Sequence, residues 1–170
     1  MADSRSDRRN RETLTGEHAL TDVGQLVLAV LFLGLWIADS FFLKLTVFPN
    51  AYVPLAVRIA VGLALVGLSW YLARASHRMV FGEKQADPHV IRDGVFAIVR
   101  HPMYLSEILL YLGLLLISVS LMAGAVWLAT IGFLHFIAHQ EEKLLLARFG
   151  DEYTSYVRDV PMWVPRIRRN

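Results

Sequence analysis

Four apolar stretches, each about as long as a bilayer's hydrocarbon core is thick, leave this chain little freedom in what it can become. They run from Val23 to Phe48, from about Tyr52 to Ala73, from Met103 to Leu121, and from Ala123 to about His139. Away from water, such a stretch can satisfy its own backbone hydrogen bonds only as a helix. The spacing predicts an all-α polytopic membrane protein with about four transmembrane helices, the fourth short enough to need its polar ends. The chain has 170 residues, 55% of them hydrophobic and 19% charged, which is too apolar for an ordinary soluble domain of this size.

The basic residues set the expected orientation. Four Lys and Arg lie in the arm before the first stretch, five in the middle loop and six after the fourth, against two (Lys44 and Arg58) around the first connection. With four spans, the arm, middle loop and tail share a face, and the positive-inside rule makes that face cytoplasmic. Both termini are then cytoplasmic, in an inner or plasma membrane. Residues 1–21 read as a flexible, solvated arm, 22–75 as a first transmembrane hairpin, and 76–170 as a core holding the second hairpin and C-terminal cytoplasmic helices. The first apolar run is too long for a signal peptide and reads as a retained span. Turn signals at Phe81-Gly82, Asp87-Pro88 and Asp93-Gly94 mark the middle loop, which is expected to fold against the mouth of the second hairpin.

The absence of cysteine excludes disulfides, thiolate zinc sites and a Cys nucleophile. Metal binding could rest only on His and carboxylates, and no metal site is assigned. A net charge of +2 makes no case for nucleic acid.

Polar chemistry concentrates in two motifs, Arg100-His101-Pro102-Met103-Tyr104 and Glu141-Glu142. With the hairpin turn centred near Met122, they lie at nearly equal depth, within roughly 3 Å at ~1.5 Å per residue. Pro102 suits a first helical turn, so the third span should begin there with free N–H groups beside Arg100 and His101. Such an end favours a carboxylate or phosphate. The plainer alternative makes Arg100 an interface anchor and His101 a cap.

Glu141 and Glu142 oppose the helix dipole and repel each other, so a cation should compensate them. Lys143, Arg148 and Arg100 are candidates within the chain, and a sulfonium or ammonium ligand is the functional one. Glu107 lies about one turn into the third span, where a carboxylate is costly unless paired or lining a cavity. The spacing allows a contact with His135 or His139, as a structural clamp or as part of a site. Asp39, Lys44 and Arg58 are expected to snorkel at the outer interface.

The segment Arg92-Asp93-Gly94-Val95-Phe96-Ala97-Ile98-Val99-Arg100-His101-Pro102-Met103-Tyr104 resembles the Gly-x-Tyr…Arg-His-Pro-x-Tyr segment of the isoprenylcysteine carboxyl methyltransferase family and its phospholipid methyltransferase relatives. Glu141-Glu142-x-Leu followed by Phe149-Gly150-Asp151-Glu152-Tyr153-x-x-Tyr156 is similar to their Glu-Glu…Phe-Gly-x-x-Tyr tail. The resemblance covers about Gly94 to Pro165, and the first two spans carry no recognisable signature. It implies an integral-membrane methyltransferase with S-adenosylmethionine bound at the cytoplasmic mouth. Arg100 and His101 would help hold the cofactor carboxylate, Gly94 would line the pocket, and Tyr104 would pack against the cofactor. Glu141 and Glu142 would bind its amino or ribose groups. The partner is then a lipid-like or small apolar acceptor, a carboxylate, thiol or amine, reached within the lipid bilayer. Phe96 stands where relatives often have Tyr.

Displacement at a sulfonium needs alignment and exclusion of water more than activation. An amine or protonated thiol would also need a base, for which Glu107 and Glu142 are the catalytic candidates. Two other readings stay open. One is a reductase of the sterol-reductase type, against which the short chain argues. The other is a non-catalytic protein that binds haem or a lipid head group through His101, His135 and His139.

Overall fold

The fold is that of a computed structural model, which describes residues 22–81 and 89–165. The expected arm, the turn signals at Gly82 and Asp87-Pro88, and the basic residues Lys84, Arg166, Arg168 and Arg169 lie outside the described residues. Five α-helices follow in order: α1 Asp22–Leu43, α2 Leu55–Phe81, α3 Pro102–Ile117, α4 Leu121–Phe149 and α5 Asp151–Asp159. Short 3-10 turns at Phe48–Ala51 and Gly94–Ala97 stand in the two connections. Among the described residues there is no strand.

Three helices, α1, α2 and α4, are long and apolar enough to cross a bilayer. The third apolar stretch differs from expectation. Its helix has 16 residues and stops at Ile117, not Leu121, so it spans about 24 Å, short of a ~30 Å core. It stops there because Ser118 and Ser120 adopt extended backbone and Ser120 caps α4, its Oγ accepting from Ala123 N at 3.3 Å. Helix α2 runs past the expected Ala73 to Phe81, which buries Ser76 in a helix instead of opening the loop there.

The pairing of α2 with α3 is built on small residues. Gly62 and Ser69 of α2, seven apart, oppose Gly113 and Ser106 of α3, also seven apart, in an antiparallel register. A Cβ on Gly62 would lie 2.7 Å from Gly113 O, and one on Gly113 would lie 2.8 Å from Gly62 O. Here the two backbones touch, as small residues permit between membrane helices. One register step along, Ser69 Oγ donates to Ser106 O at 2.7 Å. Phe32 of α1 then stacks on Tyr111 of α3, centroids 4.4 Å apart, in a core shared with Leu115 and with Ala123 of α4.

A polar latch closes one end. Asp39, in the π-helical last turn Ala38–Leu43 of α1, is fully buried, contrary to the expectation that it snorkels. Its carboxylate accepts from Leu45 N at 2.8 Å, Thr46 N at 3.0 Å, Ser120 Oγ at 2.6 Å and the Thr46 hydroxyl. Lys44, at φ 53°, makes the tight reversal that returns Thr46 to the acid. Asn50 Oδ1 accepts from Val119 N at 3.0 Å and from Arg58, whose Nη1 also donates to Ile117 O at 2.9 Å. The first connection is thus stitched to the turn between α3 and α4, and Arg58 is a strap, not a free interface charge.

At the opposite end, loop 89–100 packs on α5. Val90, Tyr153, Tyr156 and Val160 form a second core with Leu145, Phe149 and Val157 around it. Arg92 donates to Glu152 O and, at 2.6 Å, to Ser155 Oγ; Tyr156 donates to Phe96 O at 2.8 Å; and Arg100 N donates to Pro161 O at 3.0 Å. The described part of the middle loop, residues 89–100, therefore does fold against α5 and the end of α4.

Candidate functional site

Local sequence sets the first half of the site. His101, at φ −121° and ψ 62°, is held out of the helical region by Pro102 and becomes the N-cap of α3, with Leu105 N donating to its carbonyl at 3.0 Å. Its side chain is 7% exposed and lies between the two glutamates of α4. Nε2 is 3.1 Å from Glu142 Oε1, and Nδ1 is 3.7 Å from Glu141 Oε2. The Tyr104 hydroxyl donates to Glu141 Oε1, and its ring stacks on that of His101 at 5.8 Å. Four sequence-predicted residues separated by some forty positions thus meet directly.

Arg100 joins them with Nε 3.2 Å from Glu142 Oε1. The alignment is not that of a hydrogen bond, and Arg100 Nε and Nη1 are both buried without a hydrogen-bond partner. A buried guanidinium with donors to spare is costly unless an acceptor meets it. Among the expected counter-charges for the glutamate pair, Arg100 is the one engaged. Lys143 Nζ donates to Gln140 at 3.3 Å, and the Arg148 guanidinium lies over the Phe149 ring. Gly94 opens its 3-10 turn at φ 55° with Met79 against it; a Cβ there would sit 2.8 Å from the Met79 sulfur.

Three clefts adjoin this cluster. One of about 410 Å³ is lined by Arg100, Arg148, His89, Phe96, Tyr153 and Tyr156. A second, about 350 Å³, shares Arg100 and Phe96 with it and adds His101, Tyr104, Glu141 and Gln25. The third, about 430 Å³, lies among α1, α2 and α3 and includes Glu107. Burial holds the Tyr153 phenol well above its usual range and pushes Tyr156 up to about 12. Both line the first cleft as neutral phenols near pH 7.

Glu107 takes a partner other than those expected. Its Oε1 accepts from the Tyr111 hydroxyl at 3.0 Å, one turn along the same helix. His135 and His139 sit on an exposed face of α4, where His135 Nδ1 accepts from Trp163 Nε1 at 3.1 Å. Sequence reading missed Gln25, which lines the second and third clefts, although a polar amide inside an apolar span is a usable signal. Trp163 also reaches the cluster, its ring 5.8 Å from that of His101.

A family model described as phospholipid methyltransferase matches residues 55–152. The match begins at α2, further towards the N-terminus than the motif resemblance reached, so the second apolar stretch does carry family signal. No curated protein matches the chain.

Proposed function

The chain belongs to the phospholipid methyltransferase family, and we propose that it is an S-adenosylmethionine-dependent enzyme that methylates a lipid-like or small apolar acceptor. One observation carries this reading: the start of α3 brings a buried, under-bonded arginine and a histidine against the paired carboxylates of α4. The amino-acid end of the cofactor bears a carboxylate and an ammonium, and this cluster offers a complement to each.

The residues present fit the group. Arg100 pairs with Glu142 through Nε and keeps Nη1 without an acceptor, a donor that a carboxylate would meet, and His101 stands beside it. Glu141 and Glu142 supply acceptors for an ammonium or for ribose hydroxyls. Tyr104 offers a ring face, favourable beside a sulfonium. Gly94, expected to line the pocket, instead stands against Met79 at positive φ and is in the lining of none of the three clefts. When bound, the cofactor supplies a methyl group on sulfur with its leaving group already activated. What remains for the protein is to align the acceptor and keep water out. Glu142 is engaged by Arg100 and His101, so it serves binding, and Glu107, on the other side of Tyr104, is the group placed to meet an acceptor.

Orientation follows from charge. The arm, middle loop and tail hold 15 of the 17 Lys and Arg, which puts the cluster and both termini at the cytoplasmic face of an inner or plasma membrane if α3 completes a fourth span.

Calorimetric titration of S-adenosylhomocysteine into the purified full chain tests the reading. Micromolar binding is expected for the wild type, and it should be lost in folded His101→Ala and Glu142→Ala. Well-folded wild type that does not bind would overturn the proposal.

A further inference from the structure

The third cleft carries chemistry that the cofactor cluster leaves unused. Its polar lining is Gln25, Ser69, His77, Tyr104, Ser106, Glu107 and Tyr111, and Trp70 with aliphatic side chains makes up the rest of its wall. It adjoins the second cleft through Gln25, Met103 and Tyr104, which line both. A molecule in it would therefore meet one in the second cleft across Tyr104.

The charge in this cleft is one-sided. Glu107 is its one acidic lining residue, and no Lys or Arg lines it among the described residues. Arg74 lies over the Trp70 ring at 5.8 Å but outside the lining. The Tyr111 hydroxyl fixes Oε1 of Glu107, so the carboxylate is held in one orientation against an apolar wall. Apart from the His77 imidazole, a second carboxylate entering here would meet Glu107 with no Lys or Arg to offset the repulsion. A group bearing N–H or S–H would instead donate to Glu107.

Resting on the methyltransferase reading, we propose that this cleft holds the methyl acceptor and that Glu107 selects it by charge. The cleft takes a protic nucleophile, an amine or a thiol, on an apolar body, and rejects a carboxylate. Glu107 binds the acceptor's hydrogen directly, and Tyr111 positions Glu107.

The test is binding to the full chain saturated with S-adenosylhomocysteine, using hexylamine, hexanethiol and hexanoate as matched probes in calorimetry. The amine or the thiol should bind at least about tenfold tighter than hexanoate, and the comparison between those two arms identifies which protic head the cleft prefers. Glu107→Gln should collapse the gap to within about threefold while leaving S-adenosylhomocysteine affinity within about twofold. Tyr111→Phe, which releases Glu107 but keeps its charge, should narrow the gap without closing it, and an unchanged gap there would count against the assignment; Glu107→Ala serves where Glu107→Gln does not fold. Hexanoate binding as tightly as the others, a gap that survives Glu107→Gln, or no binding by any probe would each overturn the assignment. If S-adenosylhomocysteine itself fails to bind, the cofactor reading falls first and this assignment falls with it.

Discussion

Removing the Asp39 carboxylate should unfasten the end of the molecule opposite the candidate site without disturbing that site. In Asp39→Ala, two backbone N–H groups (Leu45, Thr46) and two hydroxyls (Thr46, Ser120) lose their common acceptor. Each hydrogen bond to a charged group contributes about 1.5–3 kcal/mol, but the alanine also relieves the cost of burying a charge. The net loss should resemble that of breaking a buried network, about 3–5 kcal/mol. At about 2–4 °C per kcal/mol for a chain of this length, the Tm should fall by roughly 10 °C. Asp39→Asn keeps one acceptor oxygen and the shape, and should lose about 1–2 kcal/mol. The assay is thermal unfolding in lipid nanodiscs, followed by tryptophan fluorescence, with S-adenosylhomocysteine affinity measured on folded protein. Affinity should stay within about twofold, because independent sites more than about 10 Å apart act additively. A Tm for Asp39→Ala within about 2 °C of wild type, or an asparagine variant as damaged as the alanine, would refute the account of the latch.

Three further outcomes can be checked with the same preparation. Gly113→Ala places a methyl 2.8 Å from Gly62 O, a backbone atom that cannot yield, and should cost about 1–3 kcal/mol in thermal unfolding, whereas Gly67→Ala, which meets nothing within 4 Å, should be neutral or slightly stabilising. Tyr156→Phe should lose about 1 kcal/mol with its bond to Phe96 O. Because burial raises the Tyr156 pKa in the fold to about 12, its stabilising share is present below the unfolded value near 10 and drains away as pH rises to about 12; the Phe variant should lack that part of the alkaline decline in a stability–pH series. Arg92→Ala frees the Glu152 carbonyl and Ser155, and hydrogen-exchange mass spectrometry should show faster exchange across loop 89–100 and α5.

The convergence of Arg100, His101, Tyr104, Glu141 and Glu142 was legible because each signal is local. A proline fixes where α3 begins, an acidic pair marks where α4 leaves the apolar run, and helix rise brings the two level. What stayed hidden depends on distant partners. Asp39 reads as a snorkelling acid until Ser120, 81 positions away, is seen to reach it. The heptad spacing of Gly62, Ser69 and Ser76 was present in the sequence, but only the complementary Gly113 and Ser106 give it meaning. The length of α3 was overstated because hydropathy does not register that Ser118 and Ser120 are extended. Glu107 illustrates a different limit: its partner Tyr111 lay four residues on along the same helix, a nearer solution than the histidines across the hairpin.

Tyr104, Met103 and Gln25 belong to two clefts at once, and that shared wall has a thermodynamic consequence. Any shift of Tyr104 produced by filling one cleft alters the shape of the other, so occupancy on the two sides is linked by a single coupling free energy. Linkage requires that coupling to be reciprocal. If S-adenosylhomocysteine tightens an occupant of the third cleft by some factor, that occupant tightens S-adenosylhomocysteine by the same factor. A substitution at Tyr104 therefore cannot be assigned to one ligand alone: it acts on both affinities and on the cooperativity between them.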